Sequence, residues 1–233
     1  MSLLSSYWHE GQYNMIPFTR AEFLRVFEQY NDAVWPWQVL IYLLGAVTFA
    51  LAFTRRRVAS QLISLILALL WLWVGVVYHL LFFTTINKAA RLFGALFIIQ
   101  AAIFVFAGVF SSRLSFKFRF DLQGVIGGTL ITYALVVYPM IGIALGHHYP
   151  AAPTFGVPCP TAIFTFGLLI GAGNNVRFYM LVIPVLWSLM GLWAAISLDM
   201  YEDLGLVIAG LSSVLIMLRP AHTETFSVQH PVL

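Results

Sequence analysis

Long apolar runs separated by short polar stretches dominate the chain. Seven runs are expected to form helical spans, at roughly 34–53, 62–83, 92–110, 124–145, 161–173, 178–197 and 205–218. Unbroken apolar stretches of this kind read as membrane spans. The fifth and seventh runs are short. Thirteen or fourteen residues rise only about 20 Å at 1.5 Å each, against a hydrocarbon core of about 30 Å. Such segments are expected to tilt little, to extend into flanking residues or to be sheltered by their neighbours. The expected fold is an all-α, polytopic transmembrane helix bundle. The alternative to seven spans is six, with the fifth run as a re-entrant segment.

Ahead of the first run, PFTRAEFLRVFEQYN (17–31) changes period. Thr19 followed by Glu22 is a capping box, and Phe18 with Phe23 occupy the positions of a hydrophobic staple. Phe23, Val26, Phe27 and Tyr30 then recur at three-to-four spacing, with Arg20, Glu22, Arg25 and Glu28 mostly on other faces. This pattern predicts a short amphipathic helix lying at the membrane surface, as an anchor for the first span or as a lid. The chain divides into an outer N-terminal segment (1–32), a bundle (33–219) and a polar, proline-containing tail (220–233) expected to be disordered. The stretch MSLLSSYWHEGQYNM lacks the basic and apolar regions of a cleavable signal peptide.

Composition agrees with the pattern. Of 233 residues, 61% are hydrophobic and 9% charged, where soluble domains carry about 25% charged residues. The net charge of +3 includes no basic cluster that suggests nucleic acid, and no nucleotide-binding motif is present. With the N-terminus outside, the inner segments hold Arg55, Arg56, Arg57, Arg113, Lys117, Arg119, Arg177 and Arg219. The outer ones hold Arg20, Arg25, Lys88 and Arg91. The positive-inside rule therefore favours N-out, C-in.

No Asp, Glu, Lys or Arg falls in the middle of an expected span, which argues against a carboxylate-based proton pump. The seventh run has no lysine, so a retinal Schiff base is excluded. No zinc-protease, paired-aspartate, nucleophile-elbow or phosphate-loop signature appears. Gln100 is the most polar side chain near a span centre and is expected to bond a neighbouring helix.

The candidate chemistry gathers at the expected outer ends of the spans. His79 lies near the end of the second span in VVYHLLFF, and Asn87 follows in TTINKAAR. The second VVY, at 136–138, suggests a duplicated unit. His147, His148 and Cys159 share the loop GHHYPAAPTFGVPCPT. Adjacent histidines point to different sides, so only one of the pair is expected to face a shared site. Pro150, Pro153, Pro158 and Pro160 stiffen that loop. Pro160 is expected to open the fifth helix with Cys159 as its N-cap, where exposed amides would favour a thiolate or a bound anion. The turn near Pro153–Gly156 would then bring Cys159 within about 10 Å of His79 or His148, across a pocket of ordinary ligand size. A single cysteine also reads as a small packing residue. Asp199, Glu202 and Asp203 read as a solvated loop, with Asp203 a candidate N-cap of the seventh helix.

At PFTRAEFLRVFEQYNDAVWPWQ, VVYHLLFFTTINKAA and GHHYPAAPTFGVPCPTAIFTFGLL the chain resembles an uncharacterised family of bacterial multi-pass membrane proteins. The similarity runs from about Pro17 to Leu218. Members are filed under a domain of unknown function, and some are loosely labelled permeases. The resemblance implies a bacterial inner-membrane protein. It also implies that Glu28, Asn31, His79, Asn87, His148, Pro150, Cys159 and Pro160 match motif positions of that family.

The leading expectation is an inner-membrane protein that binds, passes or senses a small polar solute or ion. It would do so through an outward-facing vestibule, lined by the ends of spans two, four and five beneath the amphipathic helix. The alternative is a soft metal or redox cofactor held by Cys159 and His148, since imidazole and thiolate suit copper, zinc or haem. Further alternatives are a thiol enzyme using Cys159 with a histidine base, or an assembly partner of a membrane complex without a site of its own. The expected orientation is directly testable. Reporters fused after Arg57, Arg119 and Arg219 should read cytoplasmic and one at Ala151 periplasmic; a cytoplasmic signal at Ala151 would reverse it.

Overall fold

The computed structural model describes residues 17–111, 113–173 and 176–218. The expected signal-free N-terminus, Arg219 and the tail at 220–233 lie outside the described residues. Those described form eight helices and no strand. They are α1 Arg20–Val34 and α2 Trp37–Ala52, then α3 Arg57–Thr85, α4 Ala90–Phe110 and α5 Leu122–Ala144. The last three are α6 Pro158–Gly171, α7 Val182–Ser197 and α8 Leu204–Met217.

The helix starts follow local chemistry. Thr19 accepts the Glu22 amide at 3.2 Å while the Glu22 carboxylate takes the Thr19 amide at 2.7 Å. Phe18 stacks on Phe23 with ring centroids 5.8 Å apart. The capping box and staple of α1 are therefore both formed. The helix turns Val26, Phe27, Tyr30, Asn31 and Val34 inward, and α2 leaves it at 90°.

Among the described residues, only α3, α4 and α5 are long and apolar enough to cross a membrane, or four spans if the bent α1–α2 pair counts as one. That is fewer than the seven spans the sequence predicts. Helices form at every expected run, but α6, α7 and α8 have 14, 16 and 14 residues. At 1.5 Å per residue these rise about 21–24 Å, short of a hydrocarbon core of about 30 Å. Large apolar side chains such as Leu43, Phe106, Met140 and Leu215 are exposed on the outer faces of the helices.

The fifth run is the central helix. Every residue of α6 except Cys159 is buried, so its environment is protein on all sides. Glycine makes this possible. A Cβ on Gly127 of α5 would stand 2.5 Å from the Gly167 carbonyl oxygen, and one on Gly167 would stand 2.7 Å from the Gly127 oxygen. The two backbones touch, as in small-residue crossings between membrane helices. Trp71 of α3 adds a hydrogen bond from its indole N–H to Thr165 Oγ1 at 2.9 Å. Gln100 of α4 donates to the Met180 carbonyl at 3.0 Å, just ahead of α7.

Two neighbouring glycines separate packing from helix propensity. Gly127→Ala forces α5 and α6 apart and should cost about 1–3 kcal/mol. At Gly128 an added Cβ meets only the Phe49 ring, at 3.8 Å. Gly128→Ala should therefore be neutral or stabilising by up to about 1 kcal/mol. Thermal unfolding of the two purified variants in detergent checks the contrast; equal melting temperatures would refute the crossing.

Candidate functional site

The buried groups Asn31, Gln38, His79, His147, Glu202 and Asp203 meet at the end formed by α1 and the connections α3–α4, α5–α6 and α7–α8. The loop GHHYPAAPTFGVPCPT folds back there because α1 and α2 hold its carbonyls. Asn31 donates its amide to the oxygens of Pro150 and Ala152, the latter at 2.8 Å, while its own oxygen accepts from Gln38 and Thr154. The Tyr30 hydroxyl donates to the Gly156 oxygen at 3.1 Å and accepts the Trp73 indole N–H at 2.8 Å. Phe155 donates its amide to the Tyr42 hydroxyl at 3.1 Å. Prolines supply no amide donors, so side chains from elsewhere must serve this loop's carbonyls.

The two adjacent histidines separate as expected: His147 is buried and His148 exposed. Gly146, at φ +87°, ends α5 in a Schellman turn. The His147 amide reaches the Gly142 oxygen at 2.8 Å and the Gly146 amide the Ile143 oxygen at 3.0 Å. That turn aims the His147 ring between α1 and the α7–α8 connection. Arg20 donates to His147 Nε2 at 2.9 Å and to the Leu198 oxygen at 3.1 Å. An arginine can only donate, so Nε2 is the acceptor and the proton sits on Nδ1. Nδ1 in turn donates to Glu202 Oε1 at 2.8 Å. The chain Arg20–His147–Glu202 fastens the start of α1 to the bundle.

Beneath α1 lies a cavity of about 360 Å³. Phe18, Phe23 and Phe27 roof it, and Tyr78, Phe83, Phe93, Trp187 and Trp193 form its sides. His79, Tyr138, Cys159 and Asp203 are the polar groups on its inner wall, with Asn87 among the lining residues from the α3–α4 connection. His79 belongs to a π-helical stretch of α3, Val74–Phe82. Such widened turns occur frequently at functional sites. Its ring is fully buried among Phe97, Trp187, Tyr78, Phe93 and Phe83, at centroid distances of 4.8 to 6.0 Å. Neither ring nitrogen has a hydrogen-bond partner among the described residues, and neither does Trp187 Nε1. Each buried polar atom left unpaired costs on the order of 1–3 kcal/mol.

Opposite His79, the Tyr138 hydroxyl donates to Asp203 Oδ1 at 2.6 Å. The Cys159 thiol lies beside the same carboxyl group and beside the Trp187 indole. Burial pushes the Asp203 carboxyl up to about 7, against the pull of the Tyr138 hydroxyl. At the exposed start of α1 the Thr19 amide holds the Glu22 carboxyl below its usual range.

Several expectations change here. Cys159 is not an N-cap: α6 begins at Pro158, with Val157 as its cap. The first turn of a helix leaves its amides unpaired, so Pro158 and Pro160 fit there without loss. The thiol instead faces the Asp203 carboxyl. Glu202 and Asp203 are buried rather than solvated; Asp203 occupies the N-cap position of α8 as expected, but its side chain makes no cap hydrogen bond there. Asp199 is exposed.

Of the His148–Cys159 pair expected as metal ligands, Cys159 lines the cavity, and His148 is exposed and is not among its lining residues. Among the described residues no group of three His, Cys, Asp or Glu side chains is arranged to hold a metal ion. Glu28 is exposed and lies outside the cavity lining, as does His147. The structure brings His79, Asn87 and Cys159 to one cavity. Trp187, Tyr138, Tyr78 and Asp203 belong with them and were not selected from the sequence. The repeated VVY was the available signal for two of these, since both of its tyrosines reach the cavity wall.

The sequence matches the family of unknown function DUF6064 over residues 20–228. No curated protein and no solved structure matches the chain.

The loop clamp has a measurable consequence. Asn31→Ala leaves the Pro150 and Ala152 carbonyls without a side-chain donor and should cost about 1–3 kcal/mol. Exposed Glu28→Ala should stay within about 0.5 kcal/mol of wild type. Limited proteolysis between 148 and 156 should accelerate in the first variant only. Equal cleavage would show that the loop is held by apolar packing instead.

Proposed function

We propose that this chain, which belongs to the DUF6064 family of unknown function, is a multi-pass membrane protein that binds a small amphipathic molecule in the cavity beneath α1. In this reading all seven apolar helices lie within the bilayer, α6 sheltered by the others, with the N-terminus and the cavity on the outer side of a bacterial inner membrane. The basic residues support that orientation: Arg55, Arg56, Arg113, Lys117, Arg119 and Arg177 lie in connections at the end opposite the cavity, and Arg57 opens α3 there.

The observation that carries the reading is His79. A histidine with both nitrogens unpaired is costly in an apolar core. The cost is recovered when a bound molecule supplies the partners. At about 360 Å³ the cavity falls within the range of small-molecule sites, roughly 300–1,000 Å³. Binding or sensing fits better than passage. Below His79 the core is filled by Phe97, Trp71 and Phe104, all fully buried, with Trp71 stacked on Phe97 at 4.3 Å.

Protein purified from its own membrane should release a stoichiometric small molecule on denaturing extraction. His79→Leu should retain it at least about tenfold less well, with an unchanged or raised melting temperature. Failure of the wild type to release such a molecule, or equal retention by both proteins, would overturn the reading.

A further inference from the structure

Resting on that reading, we propose that the cavity takes an uncharged ring compound bearing a hydroxyl or carbonyl oxygen, held by the His79 ring and the Trp187 N–H. The walls favour a ring. Phe23, Phe27, Tyr78, Phe83, Phe93 and Trp187 converge on the space, and aromatic side chains pair best with other flat rings, offset or edge-on.

The polar groups then select by charge. No lysine or arginine lines the cavity among the described residues, while the Asp203 carboxyl does. An anionic ligand would lose its hydration and gain no counter-charge. A cation could approach Asp203, but that carboxyl group already accepts the Tyr138 hydroxyl and has the Cys159 thiol beside it. A cation would also leave the Trp187 N–H, which can only donate, buried without a nitrogen or oxygen acceptor.

A neutral oxygen matches what is left over. It accepts from Trp187 Nε1, which makes no hydrogen bond to nitrogen or oxygen among the described residues and has only the weakly accepting Cys159 sulfur beside it. Neutral imidazole carries one donor and one acceptor. A ligand hydroxyl can therefore use either nitrogen of His79, and a carbonyl the protonated one. Both side chains border the same cavity, with ring centroids 5.2 Å apart. The aromatic cluster of Phe93, Phe97 and Trp187 holds the imidazole in place.

A charge series on one ring system tests this. The probes are naphthol, naphthalene, naphthoate and naphthylmethylammonium, measured near neutral pH by equilibrium dialysis against the purified full chain, with empty micelles as the partition control. Naphthol should bind at least about tenfold more tightly than each of the others. Trp187→Phe and His79→Phe keep an aromatic ring but remove the hydrogen bonds. Each should weaken naphthol binding by about tenfold or more while leaving naphthalene binding unchanged. Either ion binding as tightly as naphthol, or a preference for naphthol that survives in both variants, would overturn the proposal while leaving a ligand-binding cavity in place. If none of the probes binds the wild type, the binding reading fails and this proposal with it. Should neither variant fold, the order of the four affinities in the wild type still decides the ligand class.

Discussion

Where α5 crosses α6, a Cβ on Gly127 or Gly167 would stand 2.5 to 2.7 Å from the other glycine's carbonyl oxygen. No other residue fits on either side. The close approach lets α6 sit inside the bundle with every residue but Cys159 buried. With α6 central, its start is also fixed. The residues just before it, Phe155 to Val157, and then Cys159 itself are delivered to one end of the molecule beneath α1. A longer side chain at the crossing would displace the helix that forms the cavity's inner wall.

The same end holds a cluster of buried polar groups, several of which find partners far away in the chain. Asn31 serves carbonyls near residue 150, His147 reaches Glu202 and Arg20, and Tyr138 reaches Asp203. In a low-dielectric surrounding such bonds are strong when made and expensive when missing. The α1 helix is consequently tied to the proline-rich loop by Asn31 and Tyr30, and to His147 and the Leu198 oxygen by Arg20. Held in this way, an amphipathic helix that would otherwise lie loosely on a membrane surface becomes the roof of a cavity. Among the buried side-chain atoms without a geometric hydrogen-bond partner, the nitrogens of His79 and Trp187 belong to residues that border the cavity.

Much of the helical architecture was legible from periodicity. The apolar runs locate α2 to α8, and the Thr19–Glu22 pair with its flanking phenylalanines locates the start of α1, because capping and staple contacts involve residues only a few positions apart. The membrane-crossing count was less legible. Composition marks a helix as apolar, but it does not distinguish a helix that faces lipid from one such as α6 that faces only protein. The glycines that decide this, Gly127, Gly167 and Gly171, act through contacts between helices.

For the site, chemistry alone singled out His79, Asn87 and Cys159, because ionisable, amide and thiol groups are conspicuous among aliphatic neighbours. The same reasoning favoured His148 over His147 as a ligand and left Asp203 in solvent. Which of two adjacent histidines turns inward was decided by the left-handed Gly146 and the turn it closes. Whether an acidic loop is solvated or buried was decided by what packs over it, here Arg20, Tyr138 and the His147 ring. Trp187 is inconspicuous within an apolar run until the fold places its N–H beside a cavity with no nitrogen or oxygen to receive it. Local patterns therefore determined the elements and the residue types capable of chemistry. Only tertiary structure decided which of those residues share a space, because hydrogen bonds and burial join positions more than a hundred residues apart.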